Sequence, residues 1–318
     1  MSVANAGPPA ATVGIDVGGT KVLGVALAPD GSVAHEVRHP TPHGPEALVA
    51  TVVAVVTEVR TADTRAVGVG LPGLVDRAGT LRFGPNLPGV VETPVGPRVA
   101  EAVGLVVRAE NDATCATWAE HISGAGRGVS DLLVATLGTG IGGGLVLDGR
   151  LVRGAHGFAG EIGHMVVDAD GVACVCGQRG CWERYASGTG LGRMAREAAQ
   201  AGRGSRMVEL AGGDAEHVRG EHATAAALEG DPEALAVMRR LAGWVGLGLA
   251  SLVHILDVDR IVIGGGLVEA GDALLDPVRT AFVERLFAPD HRPPIDIVAA
   301  ELGEQAGAIG AALLAREA

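Results

Sequence analysis

Two segments of the chain carry the same pattern of apolar and polar positions. Residues 12–28, TVGIDVGGTKVLGVALA, hold two short apolar runs on either side of a polar tip that contains glycine. Residues 132–152, LLVATLGTGIGGGLVLDGRLV, repeat this order and add an Asp-Gly turn with a third apolar run. Short apolar runs bounded by glycine and turn residues are typical of buried β-strands. The pattern therefore predicts that one β-hairpin unit occurs twice in the chain.

The remaining apolar runs predict a mixed α/β protein. The first hairpin is followed by a third strand, a helix and a further strand, which Pro72 and Gly73 end. In chain order, the elements expected after the first hairpin are strands at residues 32–39, 66–71, 104–109, 260–266 and 295–300, and helices at residues 45–59, 113–121, 191–201, 232–256 and 307–316. The repeat predicts two like lobes, and a cleft between such lobes is a natural place for a nucleotide.

Length and charge narrow the choice of partners. The 318 residues are many for a single core and suit two lobes. The formal net charge of −12, from 25 basic and 37 acidic residues, provides no broad basic surface, so nucleic acid and anionic membranes are not expected as partners. Residues 1–11 lack a basic start and a long apolar run, so we expect a short disordered lead rather than a signal peptide or anchor. The longest apolar run, residues 241–256, contains glycines and His254 and is shorter than the roughly 18 residues of a membrane span, which predicts a buried helix.

The first tip, DVGGTK, has the composition of a site for Mg²⁺ and phosphate. Asp16 supplies a carboxylate, and Gly18 and Gly19 expose N–H groups that an anion can approach closely. Thr20 and Lys21 complete the tip, and Lys21 is the only lysine among Lys/Arg positions that are otherwise all arginine. The residue order and the strand that follows exclude a Walker A loop, which leads into a helix. An ordinary glycine hairpin remains the alternative, and chance explains the single lysine equally well.

The second tip predicts a second phosphate-binding lip. It contains Gly138, Thr139, Gly140 and Gly142, and in a duplicated fold it faces the first tip. Two glycine tips on either side of a cleft suit the phosphates of a nucleotide.

Bare dinucleotide-binding patterns are present but lack their structural context. GVGLPG at residues 68–73 and GTGIGG at residues 138–143 both match the spacing of that fingerprint. Neither opens a helix, and the mechanism requires the pyrophosphate at a helix N-terminus, so an NAD enzyme is disfavoured. The strand at residues 260–266 ends in glycines, among them Gly265 and Gly266, where a base or ribose has room against the backbone.

Asn111 and Asp112 stand where a predicted strand passes into a predicted helix. Open α/β sheets bind ligands at the C-terminal ends of their strands, so the pair is a candidate for ligand binding or chemistry. Aspartate before an Ala-rich run is also a good helix N-cap. The local pattern supports both interpretations equally.

Three of the four cysteines, Cys174, Cys176 and Cys181, lie in one short segment, and His164 precedes them by ten residues. Three thiolates and one imidazole are the ligand set of a closed tetrahedral zinc site. Four protein ligands leave no open position for water, so the expected Zn²⁺ is structural. Glu161 and Glu183 bracket the cluster, and the second ring nitrogen of a metal-bound histidine is free to meet a polar partner such as a substrate hydroxyl.

Two alternatives for the cysteines are weaker. Buried free thiols pack as small apolar groups, but Gln178 and Arg179 make this loop polar. A disulfide would leave one of three clustered cysteines unpaired, and an intracellular enzyme keeps its thiols reduced.

Seven motifs, spread over nearly the whole chain, resemble those of the ROK family of sugar kinases (repressor, ORF, kinase). They are DVGGTK at residues 16–21, PNLPG at 85–89, END at 110–112, LGTGIGGG at 137–144, GEIGH at 160–164, CVCGQRGCWE at 174–183 and IGGG at 263–266. The cysteine motif matches the family pattern C-x-C-G-x-x-G-C-x-E at every fixed position. Within the family the chain looks most similar to the branch of actinobacterial-type bacterial glucokinases.

The resemblance implies an α/β architecture of the actin-like ATPase type, with two duplicated ribonuclease-H-like lobes and a structural zinc loop at residues 164–181. It implies an N-terminal lobe of residues 1–109, joined by a closing helix at 303–318, and a larger lobe of residues 110–302. It also implies a cytoplasmic protein that forms a homodimer or a dimer of dimers.

The implied reaction is ATP-dependent phosphorylation of glucose at its 6-hydroxyl, with Mg²⁺ accompanying ATP. Asp112 would be the catalytic base that takes the hydroxyl proton. The sugar would be bound by Asn86, Asn111, Asp112, Glu161, His164 and Glu183. The nucleotide and its phosphates would be bound by Asp16, Gly18, Gly19, Thr20, Lys21, Gly138, Thr139, Gly140, Gly142, Gly265 and Gly266.

Other functions within the family remain open. N-acetylmannosamine, allose and fructose are competing sugars, and polyphosphate is a competing donor. A family repressor carries a helix-turn-helix domain ahead of the first strand, where this sequence has about eleven residues, too few for three helices. A sugar-binding protein without catalysis is disfavoured because Asp112 and both glycine tips are present.

Overall fold

The structure, a computed structural model, describes residues 11–317. The first described elements are the two strands of the expected hairpin. The lead predicted at the start of the chain falls outside the described residues except for Ala11. The strands are β1 (Ala11–Val17), β2 (Lys21–Leu27), β3 (Val33–Pro40), β4 (Thr64–Leu71), β5 (Leu74–Val75), β6 (Leu81–Phe83), β7 (Val91–Thr93), β8 (Val106–Asn111), β9 (Leu132–Leu137), β10 (Ile141–Leu147), β11 (Arg150–Leu151), β12 (Arg260–Gly264) and β13 (Asp296–Ala299). The α-helices are α1 (Pro45–Val59), α2 (Val95–Val103), α3 (Asp112–Ser123), α4 (Glu183–Ala186), α5 (Gly188–Gln200), α6 (Ser205–Leu210), α7 (Gly220–Leu228), α8 (Pro232–Leu256), α9 (Asp272–Val283) and α10 (Ala306–Ala315).

Two five-stranded sheets share one topology. The first has the strand order β3-β2-β1-β4-β8, and the second has the order β11-β10-β9-β12-β13. In each sheet three successive strands pair antiparallel and two later strands join in parallel. Short tips return the chain antiparallel, whereas parallel neighbours need a longer crossover. The predicted duplication is confirmed.

Glycines let the C-terminal helix α10 lie directly on the first sheet. Gly14 and Gly68 are register partners on the adjacent strands β1 and β4. A Cβ atom at either position would lie 1.8 Å from a backbone carbonyl oxygen of α10, that of Ala308 or that of Ala311. Only glycine permits this approach. The last helix therefore returns to the sheet on which the described chain begins.

Helix α3 lies beside α10, in the layer between the two large sheets. It packs against β4 and β8 of the first sheet and against β9 and β10 of the second. A Cβ atom on Gly310 of α10 would fall 1.7 Å from the carbonyl oxygen of Cys115 in α3, so glycine also brings these two helices into backbone contact. The helix that starts at Asp112 is thus held from both sides.

A larger apolar core covers the second sheet. Buried residues of α5, α7, α8 and α9 pack together with those of β9 and β12. The 25-residue helix α8 is long and apolar enough to cross a membrane by length and composition alone. However, 61% of its qualifying window is buried inside the protein, and a core helix passes the same test. Burial agrees with the prediction of a buried helix.

Several short elements were not predicted. Strands β5, β6 and β7 form a small sheet, and α2 follows them. The glycine-rich stretch of residues 202–230 folds in part as α6 and α7, and Pro277 lies inside α9. Strands of two or three residues show no alternation, and alanines on the buried side of α7 give little periodic contrast. The sequence signal was therefore too weak at these places.

Candidate functional site

Parallel strand ends bring the polar residues together at one edge of the first sheet. Asp16 pairs in register with Gly70 of β4, and Asn111 pairs with Leu71 of the same strand. A Cβ atom on Gly70 would lie 3.5 Å from Oδ1 of Asp16 and 3.4 Å from Cα of Asp112. The two aspartates therefore flank one glycine.

The residue that caps helix α3 is Asn111. Its Oδ1 accepts a hydrogen bond from the backbone N–H of Thr114 at 2.9 Å, and its Nδ2 donates to the carbonyl of Gly73 at 3.1 Å. Asp112 is the first helical residue, and its Oδ1 accepts from the N–H of Ala113 at 2.8 Å. The capping role that the sequence allowed for Asp112 therefore belongs to its neighbour, and the catalytic role of Asp112 stays a prediction.

Shielding from solvent raises the pKa of both aspartates. The pKa of Asp112 is raised to about 7, first by burial and then by the negative charge of Asp16. Burial also raises the pKa of Asp16 to about 6, against the opposing attraction of Lys21. Neighbouring carboxylates disfavour each other's ionised forms. A carboxylate with a pKa near neutrality can exchange a proton at working pH, as a general base must.

The first glycine tip lies beside the predicted sugar-binding loop. Thr41 Oγ1 donates to the carbonyl of Gly18 at 2.7 Å, and Gly18 N–H donates to the carbonyl of Lys21 at 2.8 Å. A Cβ atom on Gly19 would lie 3.5 Å from the carbonyl oxygen of Asn86 and 3.7 Å from its Cβ. Two motifs that are far apart in sequence therefore meet at this tip.

Lys21 is engaged by a carboxylate. Its Nζ lies 2.6 Å from Oε2 of Glu304, just ahead of α10, and Arg38 Nη1 lies 3.4 Å from the same oxygen. An exposed ion pair of this kind is weak because solvent screens it, so a phosphate group can compete for the ammonium. A phosphate contact by Lys21 stays a prediction.

The second glycine tip is held against the start of α5. Gly188 N–H donates to the carbonyl of Gly138 at 2.7 Å, and Thr189 Oγ1 donates to the carbonyl of Thr139 at 2.7 Å. A Cβ atom on Gly265 would fall 2.6 Å from the backbone directly before Gly138. The end of β12 is thus placed beside the second tip, as a nucleotide site formed by both would require.

Two further glycines border the same region. A Cβ atom on Gly142 would lie 2.8 Å from the Cβ of Ala113, the residue after Asp112. A Cβ atom on Gly266 would meet no described atom within 4 Å, so this glycine borders open space. The second tip is therefore adjacent to the start of α3.

His164 and three cysteines converge on one point. The ligand atoms of His164, Cys174, Cys176 and Cys181 all lie within 4.8 Å of one another. Cys174 Sγ is 3.9 Å from His164 Nδ1, and the sulfurs of Cys176 and Cys181 are 3.5 Å apart. Tetrahedral zinc with ordinary bond lengths places its ligand atoms about 3.5–3.8 Å apart. The donor set suits a four-coordinate zinc ion, and side-chain separations of up to 4.8 Å would have to close by about 1 Å around it.

Tight backbone turns close the metal loop. Cys174 N–H donates to the carbonyl of Gln178 at 2.8 Å, and Gly177 N–H donates back to the carbonyl of Cys174 at 3.1 Å. Gly177 and Gly180 have φ of 92° and 71°, and a Cβ atom on Gly180 would fall 1.6 Å from the carbonyl oxygen of Asp168. Glycine is therefore required at position 180 for the loop to return.

Glu183 joins the metal cluster to the second glycine tip. Its Oε1 lies 3.0 Å from Cys174 Sγ, and its Oε2 lies 2.5 Å from the place where a Cβ atom of Gly140 would stand. The ring of His164 presents Nδ1 to the cluster, and its Nε2 lies 3.9 Å from Oε2 of Glu161. Burial raises the pKa of Glu161, an effect that His164 opposes and Glu183 reinforces. The predicted sugar ligands on this side are thus grouped between cluster and tip.

Sequence reasoning missed Glu110, the residue before the Asn-Asp pair. Glu110 is buried, and its Oε1 lies 3.3 Å from Nε of Arg108 and 3.0 Å from Nε of Arg153. Burial raises the pKa of Glu110, and the charge of Arg108 opposes that effect. Arg153 starts the segment that leads to Glu161, so this contact links the two sides of the site. Arg108 and Glu110 are two residues apart on β8 and so lie on the same face of the strand. This spacing of opposite charges was the sequence signal that could have identified Glu110.

The fold is that of the actin-like ATPases, with two like sheets, a glycine tip on each, and two helices between them. The family model described as the ROK family matches residues 12–318. The chain therefore belongs to the ROK family.

Relatives at moderate identity extend along nearly the full chain. A glucokinase of Streptomyces coelicolor is 41% identical over 310 residues, which is 96% of this chain and 98% of that protein. The crystal structure of a ROK family glucokinase from Streptomyces griseus, in complex with glucose and AMPPNP, superposes with a TM-score of 0.88 at 39% identity and covers 97% of this chain and 100% of that one. An N-acetylmannosamine kinase of Escherichia coli is 34% identical over 96% of this chain and 98% of its own length.

Proposed function

We propose that this protein is an ATP-dependent hexose kinase that phosphorylates glucose at its 6-hydroxyl. The observation that carries the proposal is the position of Asp112, beside Asp16 and next to both glycine tips, with a pKa raised to about 7. The glucokinases among its relatives, at up to 41% identity over nearly the whole chain, support glucose as the sugar.

In the proposed reaction Asp112 accepts the proton of the 6-hydroxyl while that oxygen forms a bond to the γ-phosphorus of ATP. The bond between the γ-phosphorus and the β,γ-bridging oxygen breaks, and ADP leaves. Phosphoryl transfer of this kind needs positioning and charge neutralisation more than covalent chemistry by the protein. The remaining sugar hydroxyls are assigned to Asn86, Asn111, Glu161, His164 and Glu183.

We assign the phosphates of ATP to the two glycine tips. We assign phosphate contacts to the backbone N–H groups of Gly19 and Gly140, which an anion can approach closely. Gly18, whose N–H is bonded to the carbonyl of Lys21, would shape the first tip. Mg²⁺ bound with ATP would neutralise phosphate charge, and Asp16 is the carboxylate placed to hold it directly or through water. Positive charge there favours the ionised form of Asp112, which is the form that accepts a proton.

We propose that the Cys₃His cluster binds a structural Zn²⁺. Its four donors converge to within 4.8 Å of one another and would fill a tetrahedral site. The role of this site is to fix the ring of His164, so that Nε2 points toward the sugar pocket, and to hold the loop that carries Glu183.

A panel of sugars and donors tests the proposal. Release of ADP from ATP is measured separately with glucose, N-acetylmannosamine, allose and fructose. It should be fastest with glucose. The comparison is needed because the loops of the sugar pocket decide between hexoses. Polyphosphate should be a poor phosphoryl donor in place of ATP, because we assign the base and ribose of ATP to the glycines at the end of β12. Faster turnover of N-acetylmannosamine would contradict the assignment of glucose as the substrate. Absence of turnover with every hexose would contradict the proposal that the protein is a hexose kinase.

The expected solution state and lobe division complete the proposal. We expect a cytoplasmic protein. We also expect a homodimer or a dimer of dimers, and sedimentation analysis of the purified protein would establish that oligomeric state. We propose one lobe of residues 1–109 and 303–318, of which residues 1–10 and 318 lie outside the described residues, and a second lobe of residues 110–302.

A further inference from the structure

Within residues 11–317 the chain passes between the two large sheets at two places. It leaves the first sheet after β8, runs through α3 and reaches β9 of the second sheet. It leaves the second sheet after β13 and returns through residues 300–305 to α10, which packs on the first sheet. Any change in the angle between the sheets must be taken up in these two crossings.

One buried carboxylate, that of Glu120 in α3, is bonded to both crossings. The residue is 1% exposed. Its Oε2 accepts hydrogen bonds from the backbone N–H of Ala125 at 2.8 Å and of Glu301 at 3.2 Å, and its Oε1 accepts from the N–H of Leu302 at 2.9 Å. Ala125 belongs to the first crossing, and Glu301 and Leu302 belong to the second.

The backbone of Glu120 strengthens the same junction. Its carbonyl oxygen accepts from the N–H groups of Gly124 at 3.1 Å and Gly126 at 2.9 Å. A Cβ atom on Gly124 would fall 2.1 Å from Oε2 of Glu120, so glycine makes room for the carboxylate. Five backbone N–H groups therefore depend on one residue, and a buried donor left without its acceptor is costly.

We propose that Glu120 is a positioning residue for the reaction, because it fastens both crossings at one point and so fixes the direction of α3. Asp112 begins that helix, and the second glycine tip packs beside its first turn. Hinge residues far from the chemistry typically change kcat and KM together when they are replaced. Glu120 lies within α3 and is not a hinge residue itself, but its hydrogen bonds hold the two crossings that would act as hinges.

The variant Glu120→Gln tests this role. The amide is nearly isosteric but replaces one acceptor oxygen by an N–H₂ donor, which then faces backbone donors. We expect the folded variant, assayed well below its Tm, to show kcat/KM for glucose lowered about tenfold or more, with kcat reduced and KM raised. Turnover and KM within about twofold of the parent would overturn the proposal, whatever the change in Tm.

Two control variants separate positioning from stability. Arg127→Gln removes an exposed ion pair with Glu301 at the same junction, where Nη2 and Oε2 are 3.5 Å apart. It also removes the hydrogen bond from Arg127 Nε to the carbonyl of Gly124 at 3.2 Å, but it leaves every acceptor atom of Glu120 in place. Val52→Ala removes two methyl groups from the buried face of α1, away from both crossings. Both should keep kcat and KM within about twofold, although Val52→Ala lowers Tm. Loss of turnover in Val52→Ala equal to that in Glu120→Gln would show that stability alone is responsible.

Hydrogen exchange of the unmodified protein is an independent test. It does not require that the variant folds or that the proposed function is correct. The amides of Ala125, Glu301 and Leu302 should be strongly protected both in the free protein and with glucose and a non-hydrolysable ATP analogue. Rapid exchange of these amides in either state would overturn the proposal. If the parent turns over no hexose, the proposed function fails, and the exchange result still decides whether Glu120 fastens the crossings.

Discussion

At the scale of single residues, the proposed chemistry depends on two aspartates that are held close together. Gly70 lies between Asp16 and Asp112. Because glycine has no side chain, nothing at this position separates the two carboxylates, and their charges can repel each other. Burial and the charge of Asp16 raise the pKa of Asp112 to about 7. A base of this pKa is partly protonated at neutral pH and becomes fully ionised as the pH rises.

The pH dependence of the reaction should follow from this value. The base must be ionised to act, so kcat/KM of the free enzyme should fall as the pH drops through about 7. Bound Mg²⁺ favours the ionised carboxylates, so the corresponding limb in kcat should lie at lower pH. Measuring initial rates from acid to mildly alkaline pH, with denaturation controls, tests both statements. A flat profile across this range would contradict the assignment of the base.

Gly140 provides a second prediction at this scale. A methyl group there would stand 2.5 Å from Oε2 of Glu183, and that flexible side chain would have to move away. If Glu183 binds a sugar hydroxyl, Gly140→Ala should raise KM for glucose about tenfold or more, since a hydrogen bond to a charged group is worth roughly 1.5–3 kcal/mol. Tm should change little.

Gly138→Ala is the matched control for that variant. It places a methyl group in the same tip, where no described atom lies within 4 Å. KM for glucose should then stay near the parental value, even if KM for ATP changes. Equal effects of the two variants on KM for glucose would rule out displacement of Glu183 as the cause.

At the scale of elements, the metal loop connects stability to substrate binding. One loop carries Cys174, Cys176 and Cys181, and Glu183 follows two residues after Cys181, at the start of α4. Because Glu183 touches both a cysteine sulfur and the second glycine tip, the order of the loop should be transmitted to the sugar pocket. A structural ion can thus influence catalysis without entering the reaction.

Removal of one cysteine ligand tests this connection. Cys176→Ser should lose the single Zn²⁺ expected per chain and weaken glucose binding, because the loop no longer fixes His164 and Glu183. Cys115→Ala is the control, since this buried thiol lies outside the cluster and the metal content should be unchanged. Metal analysis that finds no zinc in fully active parental protein would contradict the prediction.

Elements with strong local signals could be read from the sequence. The predicted bounds of α1 and α8 agree with the structure, because apolar periodicity and a proline at the first turn mark them clearly. The four residues of the metal cluster were also found, since their spacing is local. Contacts of Glu120 with residues 181 and 182 positions away have no such signal, because only the folded chain brings them together. The same holds for the contact between Glu110 and Arg153.

At the scale of the whole molecule, duplication of one sheet topology generates the site. Each sheet contributes a glycine tip, and the helix layer between them places Asp112 beside both. The repeated hairpin pattern was sufficient to predict the two lobes. Their relative placement depends on glycines such as Gly14 and Gly310, which permit helix contacts that no local pattern encodes.

The turnover of Asp112→Asn tests the proposed mechanism most directly. Because Asn111 caps α3, the exchange removes the proton acceptor while the helix start is kept. General-base catalysis contributes roughly 10²- to 10⁴-fold, so kcat of ADP release with glucose should fall by about that factor, while calorimetry should show glucose still bound. Asp231→Asn, at the N-cap of α8, is the matched control and should keep parental kcat. Near-parental turnover by Asp112→Asn would contradict the assignment of Asp112 as the base.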